Sequence, residues 1–440
     1  MRILMVILCS SLVPLATGQI SLPSVRLPVP PTTLPNLPAT DVSLQSRLDA
    51  EFQGGDLKEL RALRIRTLLR AHGDVVETDP DGNPMVRGEV LLVSPDAAAL
   101  QAASTAGFSV AREFTLEVPP VRIVVLHIGA RTARALQRLR ALNPGAVYDF
   151  NHIYIESGVV NADAPGLSPV AAPNEDAASA KAAAPAGLIG LIDSGVDSAH
   201  EVFAGLTVHQ HGCANTSIPD AHGTAVASLM VGRSTALHGA ASGSELYTAD
   251  VYCGQPTGGA VQTVAEAFSW LAHEGVPVIN VSLVGPPNRV LETVVESLIA
   301  RGHIVVAAVG NDGPAAPPLY PAAWPGVVGI TAVDAHQHAL VEAARGAQVK
   351  FAAPGAQMAA AKCPSGYTLV RGTSFAAPIV AGLLSLNLQV VDKVAADKAV
   401  ATLAAEAVHV GAPGLDRVYG YGLVGASLRR QPALAAFRVD

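Results

Sequence analysis

The sequence contains few aromatic residues and few charges for its length. Of its 440 residues only 4% are aromatic and 15% are charged, whereas 50% are hydrophobic. The core must therefore be built mainly from Ala, Val, Leu and Ile, and the length allows two or three domains. The formal net charge of -7 gives no sign of the basic face that nucleic acid favours, so we expect no nucleic-acid partner.

Long apolar runs are scarce, and the clearest one stands near residue 1. Arg2 precedes this run, and Ala16 and Gly18 stand at the spacing of a cleavage site. Because Pro14 interrupts the run, we interpret residues 1–18 as a cleaved signal peptide rather than a membrane anchor. The expected location is secreted or periplasmic, with no membrane span after signal cleavage.

Cysteine is also scarce, which limits the disulfides that the chain can form. Cys9 would leave with the signal peptide, and the other three are Cys213, Cys253 and Cys363. These three allow at most one internal bridge and leave one thiol over. An exported protein can form such a bridge.

Changes of composition along the chain predict five segments. They are a signal peptide at 1–18, a Pro-rich linker and helical segment at 19–85, a small α+β domain at 86–157, a linker at 158–185 and a large domain at 186–430. Within the second segment, Arg and Leu recur at helical spacing in LKELRALRIRTLLRAHG. We interpret this stretch as a solvated amphipathic helix and assign no chemistry to it.

The small domain shows a β-α-β-β-α-β pattern, the split βαβ arrangement. Its predicted strands and helices are, in chain order, Val86–Ser94, Pro95–Ala106, Phe108–Leu116, Val121–His127, Ala130–Leu142 and Ala146–Ile155. Because it contains no obvious catalytic set, we interpret it as a folding or inhibitory module.

The large domain alternates apolar strands with helices. The predicted strands are Leu188–Asp193, Leu246–Tyr252, Val276–Leu283, His303–Val309 and Val327–Val333. Their nearly continuous apolar character predicts a mainly parallel, doubly wound α/β sheet with helices on both faces. Ligands of such sheets bind beyond the carboxyl ends of the strands. The apolar run Phe375–Val391 predicts a buried helix.

Three motifs of this domain place polar side chains at strand ends or helix starts. Asp193 ends a strand in LIGLIDSGVD, His222 opens a helix in DAHGTAVASLMVG, and Ser374 opens another in RGTSFAAPIVAGLL. A serine hydroxyl needs a base to remove its proton, and a carboxylate that orients the histidine completes the set. Pro378 fits the helix that Ser374 opens, since we expect it within the leading turn, where amides lack acceptors.

A fourth motif, HIVVAAVGNDG, places Asn311 after a buried strand, where its amide could donate to an oxyanion. Each residue alone has a plainer role: Asp193 and Asn311 as turn residues, and His222 and Ser374 as helix caps. The order Asp, His, Ser excludes trypsin-like enzymes and α/β-hydrolases, and no G-x-S-x-G or H-E-x-x-H motif is present. We expect no metal site and no cofactor.

Residues 185 to 430 resemble the subtilisin-like serine peptidases. The matching strings are IDSGVDSAH, HGTAVASLMVG, VINVSLVG, VVAAVGNDG, YPAAWPGVVGITAVD and GTSFAAPIVAG. The resemblance implies a serine endopeptidase that acts on polypeptides through an acyl-enzyme, with Asp193, His222 and Ser374 as the triad and Asn311 as the oxyanion donor. A catalytically silent binding protein and a transpeptidase on the same fold are the alternatives.

The resemblance further implies that residues 86–157 are an inhibitory pro-domain, an intramolecular partner of a monomeric zymogen that cuts itself. YDFNHIYIESG resembles the tail of such a pro-domain, with a cut near Glu156 to Gly158. It also makes a Cys213–Cys253 bridge plausible, although either cysteine could pair with Cys363.

The resemblance also implies substrate-binding positions, some of which depart from the family pattern. They are Ser282, Leu283, Val284, Gly285, Ala308, Val309, Gly310 and Leu319. Ser282–Gly285 reads SLVG where the family has Ser-Leu-Gly. Leu319 replaces a glycine at the floor of the main specificity pocket, which favours small residues such as Ala or Ser at P1, the residue whose carbonyl is attacked. Val202 stands where relatives have a calcium-binding aspartate, so we doubt calcium there.

Overall fold

A computed structural model describes residues 56–129, 131–160, 187–215, 218–234, 237–412 and 414–429. The expected signal peptide, the Pro-rich stretch and most of the second linker lie outside the described residues. The described residues belong to one unit, Arg47–Asp440.

The described residues form eight α-helices and seventeen strands. The helices are α1 Asp56–His72, α2 Ala97–Thr105, α3 Thr132–Leu142, α4 Ala221–Val231, α5 Val261–His273, α6 Arg289–Arg301, α7 Thr373–Ser385 and α8 Lys393–Glu406. The strands are β1 Val76–Thr78, β2 Pro84–Val93, β3 Ser109–Leu116, β4 Val121–His127, β5 Val147–His152, β6 Ile155–Glu156, β7 Val159–Val160, β8 Leu188–Asp193, β9 Val208–His211, β10 Glu245–Asp250, β11 Val278–Val281, β12 Leu283–Val284, β13 Ile304–Ala308, β14 Val328–Val333, β15 Val349–Pro354, β16 Met358–Ala361 and β17 Tyr367–Arg371.

The first sheet is antiparallel and has the predicted β-α-β-β-α-β order from β2 to β5. Its strands run β1-β2-β4-β3, with β5 also paired to β2. The sheet begins earlier than the sequence indicated, because Val76 in β1 pairs with Val86 in β2. A three-residue strand is too short to show an alternating pattern, so it was assigned to the preceding helical segment.

Alternate residues send the two faces of this sheet into different cores. Val90 and Val124 pack with helices α2 and α3 in a small cluster. Ile123 and Val125 face the other way and share a cluster with helices α5 and α6 of the large domain. The second face of the small domain is therefore covered by the large domain.

The second sheet is parallel, as the five apolar runs predicted, and it has seven strands because β15 and β9 are added at its two edges. The order is β15-β14-β13-β11-β8-β10-β9. Leu191 of β8 packs in the cluster that contains α4 and α7, whereas the adjacent Ile192 packs in the cluster that contains α5 and α6. The sheet is thus buried on both faces, which explains why its strands lack alternation.

Two predicted elements differ in extent from the observed ones. The run Val276–Leu283 was predicted as one strand but forms β11 and then β12, which leaves the main sheet and pairs with β6. The helix predicted over Phe375–Val391 begins at Thr373 and ends at Ser385. After β11 the next residues are buried as well, so the apolar run continues, whereas after α7 Leu386 and Val390 are exposed although they are apolar.

Candidate active site

Asp193 and His222 meet beyond the carboxyl end of β8. Asp193 is fully buried, and its Oδ1 lies 2.7 Å from Nδ1 of His222. The Nε2 atom of His222 is buried and has no hydrogen-bond partner among the described residues. The carboxylate therefore orients the ring, and no other group among the described residues competes for Nε2.

Ser194 and Asp220 hold this pair in place, and the sequence analysis did not identify either. The Ser194 hydroxyl donates to Asp220 Oδ1 at 2.9 Å and accepts from the amide of Gly223 at 3.0 Å. Asp220 caps helix α4 by accepting from the amide of His222 at 2.8 Å. An aspartate directly before a helix is a recognisable N-cap, so Asp220 could have been predicted.

Gly223 allows the start of α4 to approach the loop after β8. A Cβ atom at this position would lie 2.2 Å from the carbonyl oxygen of Ser194. No side chain fits in that space, so the His-Gly pair of the motif has a steric cause.

Ser374 lies in the first turn of α7 and is fully buried. Its Oγ donates to the carbonyl oxygen of Ser282 at 3.2 Å. Pro378 is the sixth residue of the helix, beyond the leading turn where we expected it, and leaves the carbonyl of Ser374 without its usual amide donor. The Ser282 hydroxyl supplies a donor to that carbonyl at 3.0 Å.

Asn311 lies beside the start of α7. Its Oδ1 accepts from the amide of Thr373 at 3.1 Å, which points its Nδ2 away from the helix. That Nδ2 donates to the hydroxyl of Ser157 at 2.8 Å. The structure therefore brings all four predicted residues to one edge of the sheet.

Residues 153–160, here called the crossing segment, run through this site. Strand β6 pairs antiparallel with β12, so that Glu156 faces Leu283 and Ile155 faces Val284. After Gly158, strand β7 pairs antiparallel with β17. The uncleaved chain thus occupies the site as an added strand on both sides.

Ser157 is the residue of the crossing segment that stands between the predicted catalytic groups. Its amide donates to the carbonyl of Ser282 at 3.3 Å, and its side chain is buried against Asn311. The next residue, Gly158, has φ +144°, and a Cβ there would lie 3.3 Å from Cβ of Ser374. The peptide bond between Ser157 and Gly158 therefore lies at the predicted nucleophile.

Two further residues of the predicted substrate path, Gly285 and Leu319, pack closely against their neighbours. The ring of Tyr154 is buried against Gly285, where an added Cβ would lie 2.7 Å from the ring. The Tyr154 hydroxyl donates to the carbonyl of Pro286 at 2.6 Å. The Leu319 side chain fills the space over Gly310, where a Cβ added to the glycine would lie 2.7 Å from Cδ1 of Leu319. Leu319 thus takes up the volume over Gly310, the residue before Asn311.

The remaining predicted path residues, Ala308 and Val309, are fully buried in the hydrophobic core at the end of β13. Ser282 contacts both Ser157 and Ser374, as described above. Among the predicted positions, the contacts with the crossing segment come mainly from Ser282, Leu283, Val284 and Gly285.

Negative charges surround His222 in this uncleaved state. Single ligand-type atoms of Glu156, Asp193 and His222 all lie within 4.8 Å of one another. Burial lowers the pKa of His222, but the charges of Asp193, Glu156 and Asp220 and the hydrogen bond that Asp193 accepts outweigh it and raise the pKa to about 9. Burial also raises the pKa of Glu156.

The structure pairs Cys213 with Cys253 and leaves Cys363 as a free thiol. The Cα atoms of the pair are 5.2 Å apart, within the usual range for a disulfide. None of the helices in the described part of the chain combines the length and apolar content of a membrane span.

A protein-family model described as the subtilase family matches residues 186–422. Subtilisin DY of Bacillus licheniformis is 29% identical over 252 residues, which cover 55% of this chain and 90% of that protein. Subtilisin BL of Lederbergia lenta is 32% identical over 205 residues, or 46% of this chain and 76% of that protein.

One solved structure extends the similarity in fold beyond the family match. Fervidolysin from Fervidobacterium pennivorans, described as a keratinolytic enzyme related to subtilisin, aligns with 82% of this chain and 63% of its own. The TM-score is 0.64 at 19% identity, which supports the fold alone.

Proposed function

Because this chain belongs to the subtilase family and is a serine endopeptidase, we propose that it is a precursor that cuts its own Ser157–Gly158 bond. The observation that carries the proposal is the position of Ser157, held by the Ser282 carbonyl and the Asn311 amide, with Gly158 against Ser374. The cut would separate residues 86–157, as inhibitory pro-domain, from the catalytic domain.

The proposed chemistry uses the four predicted residues that the structure brings to one edge of the sheet. Ser374 Oγ attacks the Ser157 carbonyl carbon while its proton passes to Nε2 of His222, and Asp193 stabilises the charged ring. Asn311 donates to the oxyanion that forms. The C–N bond then breaks, His222 returns the proton to the Gly158 amine, and water releases Ser157 as a carboxylate.

The orphaned Nε2 of His222 supports this assignment of roles. A buried ring nitrogen without a hydrogen-bond partner lowers the stability of the fold. A catalytic role for His222 would explain why it is kept. In the uncleaved state the Ser374 hydroxyl donates to Ser282 instead. The proposal requires this hydroxyl to leave the Ser282 carbonyl and turn toward Nε2 of His222.

The crossing segment also supports a substrate preference. Ser157 is small, which fits a pocket narrowed by Leu319 over Gly310, and three residues upstream the buried Tyr154 ring packs on Gly285. We propose a preference for Ala or Ser at P1 preceded by an aromatic residue at P4, three positions upstream. Profiling with a tetrapeptide library tests this, and strong cleavage after Phe or Tyr would contradict it.

Export completes the proposal. The expected signal peptide at 1–18 and the Cys213–Cys253 bridge both suit a secreted or periplasmic enzyme, since disulfides persist in oxidising compartments. We propose that the mature enzyme acts there on polypeptides as a monomer.

The deciding experiment compares the wild type with Ser374→Ala after export, by intact mass and N-terminal sequencing. We expect the wild type to yield a chain that begins at Gly158 and the variant to keep residues 157 and 158 joined. Identical processing of both proteins would mean that another protease makes the cut, and would contradict self-cleavage.

A further inference from the structure

Helix α1, which the sequence indicated as a solvated helix without chemistry, lies against the crossing segment. Its half-buried positions recur at helical spacing and are 61, 62, 65, 68, 69 and 72. Leu68 and Leu69 pack with Val76 and Ile153 in one apolar cluster. One face of the helix is therefore packed on the crossing segment and on strand β1, which follows the helix in the chain.

Arg64 of this helix donates hydrogen bonds to the crossing segment on both sides of Ser157. Its Nη1 donates to the carbonyl oxygen of Glu156 at 3.1 Å, and its Nη2 donates to that of Gly158 at 3.0 Å. A planar guanidinium holds two acceptors in a fixed geometry, which a single ammonium cannot do. The fork thus spans the proposed scissile bond and leaves the Ser157 carbonyl free for attack.

Arg61, one turn earlier, anchors the same helix to the catalytic domain. Its Nη1 lies 3.0 Å from Oδ2 of Asp312, and both side chains are mostly buried. Asp312 directly follows Asn311, the predicted oxyanion donor. The two arginines therefore connect α1 to the crossing segment and to the loop beside the reacting bond.

We propose that Arg64 is a positioning residue for self-cleavage and that α1 clamps the crossing segment on the active site. This inference rests on the proposed function, because it assigns α1 a part in the same cut. Hydrolysis breaks the Ser157–Gly158 bond, consumes one water and leaves a carboxylate on Ser157 and an ammonium on Gly158. After the cut, Arg64 and Ser157 both belong to the pro-domain, so the Arg64 cation attracts the new carboxylate and keeps the tail in its bound conformation. Its hydrogen bond to the Gly158 carbonyl is the Arg64 contact that crosses the cut.

The test uses the full-length precursor with Arg64→Ala, Arg64→Lys and Arg66→Ala. Arg66 is an exposed residue of the same helix, so Arg66→Ala controls for loss of an arginine from α1. Because α1 leaves with the pro-domain, all these variants yield mature enzymes of identical sequence. Any difference between them must therefore arise in the precursor or in the cleaved complex.

We expect Arg64→Ala to be cut about 10-fold more slowly than Arg66→Ala, since an exposed but bidentate charged contact is lost. Arg64→Lys should recover only part of the rate, because an ammonium cannot span both carbonyls. After the cut, Arg64→Ala should regain peptidase activity at a higher protein concentration on dilution, as its pro-domain is held less tightly. Cutting of Arg64→Ala at the rate of Arg66→Ala would overturn the inference while leaving self-cleavage intact.

A second readout separates the clamp from the chemistry. In full-length Ser374→Ala, hydrogen exchange of amides 155–160 reports how firmly the crossing segment is held, whether or not the wild type cuts itself. We expect faster exchange when Arg64→Ala is added and no change when Arg66→Ala is added. Equal exchange in both double variants would overturn the clamp, whereas processing of Ser374→Ala at the wild-type rate would instead overturn the proposed function.

Discussion

The two sheets of this protein differ in what covers them. The seven-stranded sheet is enclosed by helices of its own region, with α4 and α7 in one apolar cluster and α5 and α6 in the other. The five-stranded sheet has its own α2 and α3 on one face only. Its other face, including Ile123 and Val125, is buried against α5 and α6.

This difference separates the roles of the two regions. The seven-stranded region holds Asp193, His222, Asn311 and Ser374, whose positions would have to survive removal of the other region if the proposed self-cleavage takes place. The five-stranded region supplies the crossing segment. Because one face of its sheet is covered only by α5 and α6, it would expose apolar residues if it were released. A cleaved pro-domain of this kind should stay bound until it is degraded or diluted, because release costs the burial of that face.

The largest expected effect tests whether the chemistry belongs to the seven-stranded region alone. Asp193→Asn keeps the shape of the side chain but stabilises the wrong tautomer of His222, so we expect self-cleavage to slow by about 10⁴-fold. Intact mass against time measures the rate. Asp397→Asn, at an exposed ion pair of α8, serves as control and should be cut like the wild type.

The next effect tests the contact between the five-stranded sheet and helices α5 and α6, with a matched pair of neighbouring residues. Val124 and Val125 are both fully buried in β4 but face the small domain's own helices and the large domain, respectively. Val125→Ala should weaken retention of the cleaved pro-domain by about 30-fold, equivalent to about 2 kcal/mol of lost contact.

Inhibition of peptide hydrolysis by the cleaved pro-domain, followed on dilution, measures this retention. Val124→Ala removes the same two methyl groups from the opposite face and should weaken retention less, since the contact with α5 and α6 is kept. Equal losses for the two variants would contradict the distinction between the faces.

The smallest effect concerns the pH dependence of the cut. In the precursor the pKa of His222 is raised to about 9 by the charges of Asp193, Glu156 and Asp220 and by its hydrogen bond with Asp193, against the opposing effect of burial. Only neutral His222 can accept the Ser374 proton, so the rate of self-cleavage should rise as pH increases toward 9. Glu156→Gln removes one of these charges and should shift the profile by about one pH unit to lower pH.

The profile is measured by intact mass in buffers of constant ionic strength. Glu117→Gln, an exposed residue far from the site, is the control for loss of a carboxylate. The mature enzymes should share one profile, because Glu156 leaves with the pro-domain. A precursor profile that is unchanged in Glu156→Gln would show that this carboxylate does not act on His222.

Several site residues could be predicted because they stand at local boundaries of secondary structure. Asp193 ends an apolar strand, and His222 and Ser374 lie in the first turn of apolar helices, where the sequence pattern changes visibly. The parallel sheet then brings such boundaries to one edge. The sequence did not show how the fold accommodates Pro378. The carbonyl of Ser374 that lacks an amide donor there accepts from the hydroxyl of Ser282, which lies 96 positions before Pro378 in the chain.

Other residues could not be assigned a role from their neighbours in sequence. Arg64 is one of several arginines in a regular helical pattern, and nothing local distinguishes it from Arg66. Glu156 is an ordinary residue of a short strand until β12 pairs with it beside His222. Ser194 reads as part of a turn, although its hydroxyl links Asp220 to the start of α4.

The sequence by itself determined the family, the parallel sheet and the four residues that carry the proposed chemistry, because strand and helix boundaries are set by local patterning. Only the tertiary structure decided which side chains and carbonyls meet across long separations in the chain. It joined Cys213 to Cys253, laid Ser157 against Asn311 and set Arg64 across the bond at Gly158. Such contacts depend on how the sheets, helices and crossing segment pack, and local sequence spacing does not encode that packing.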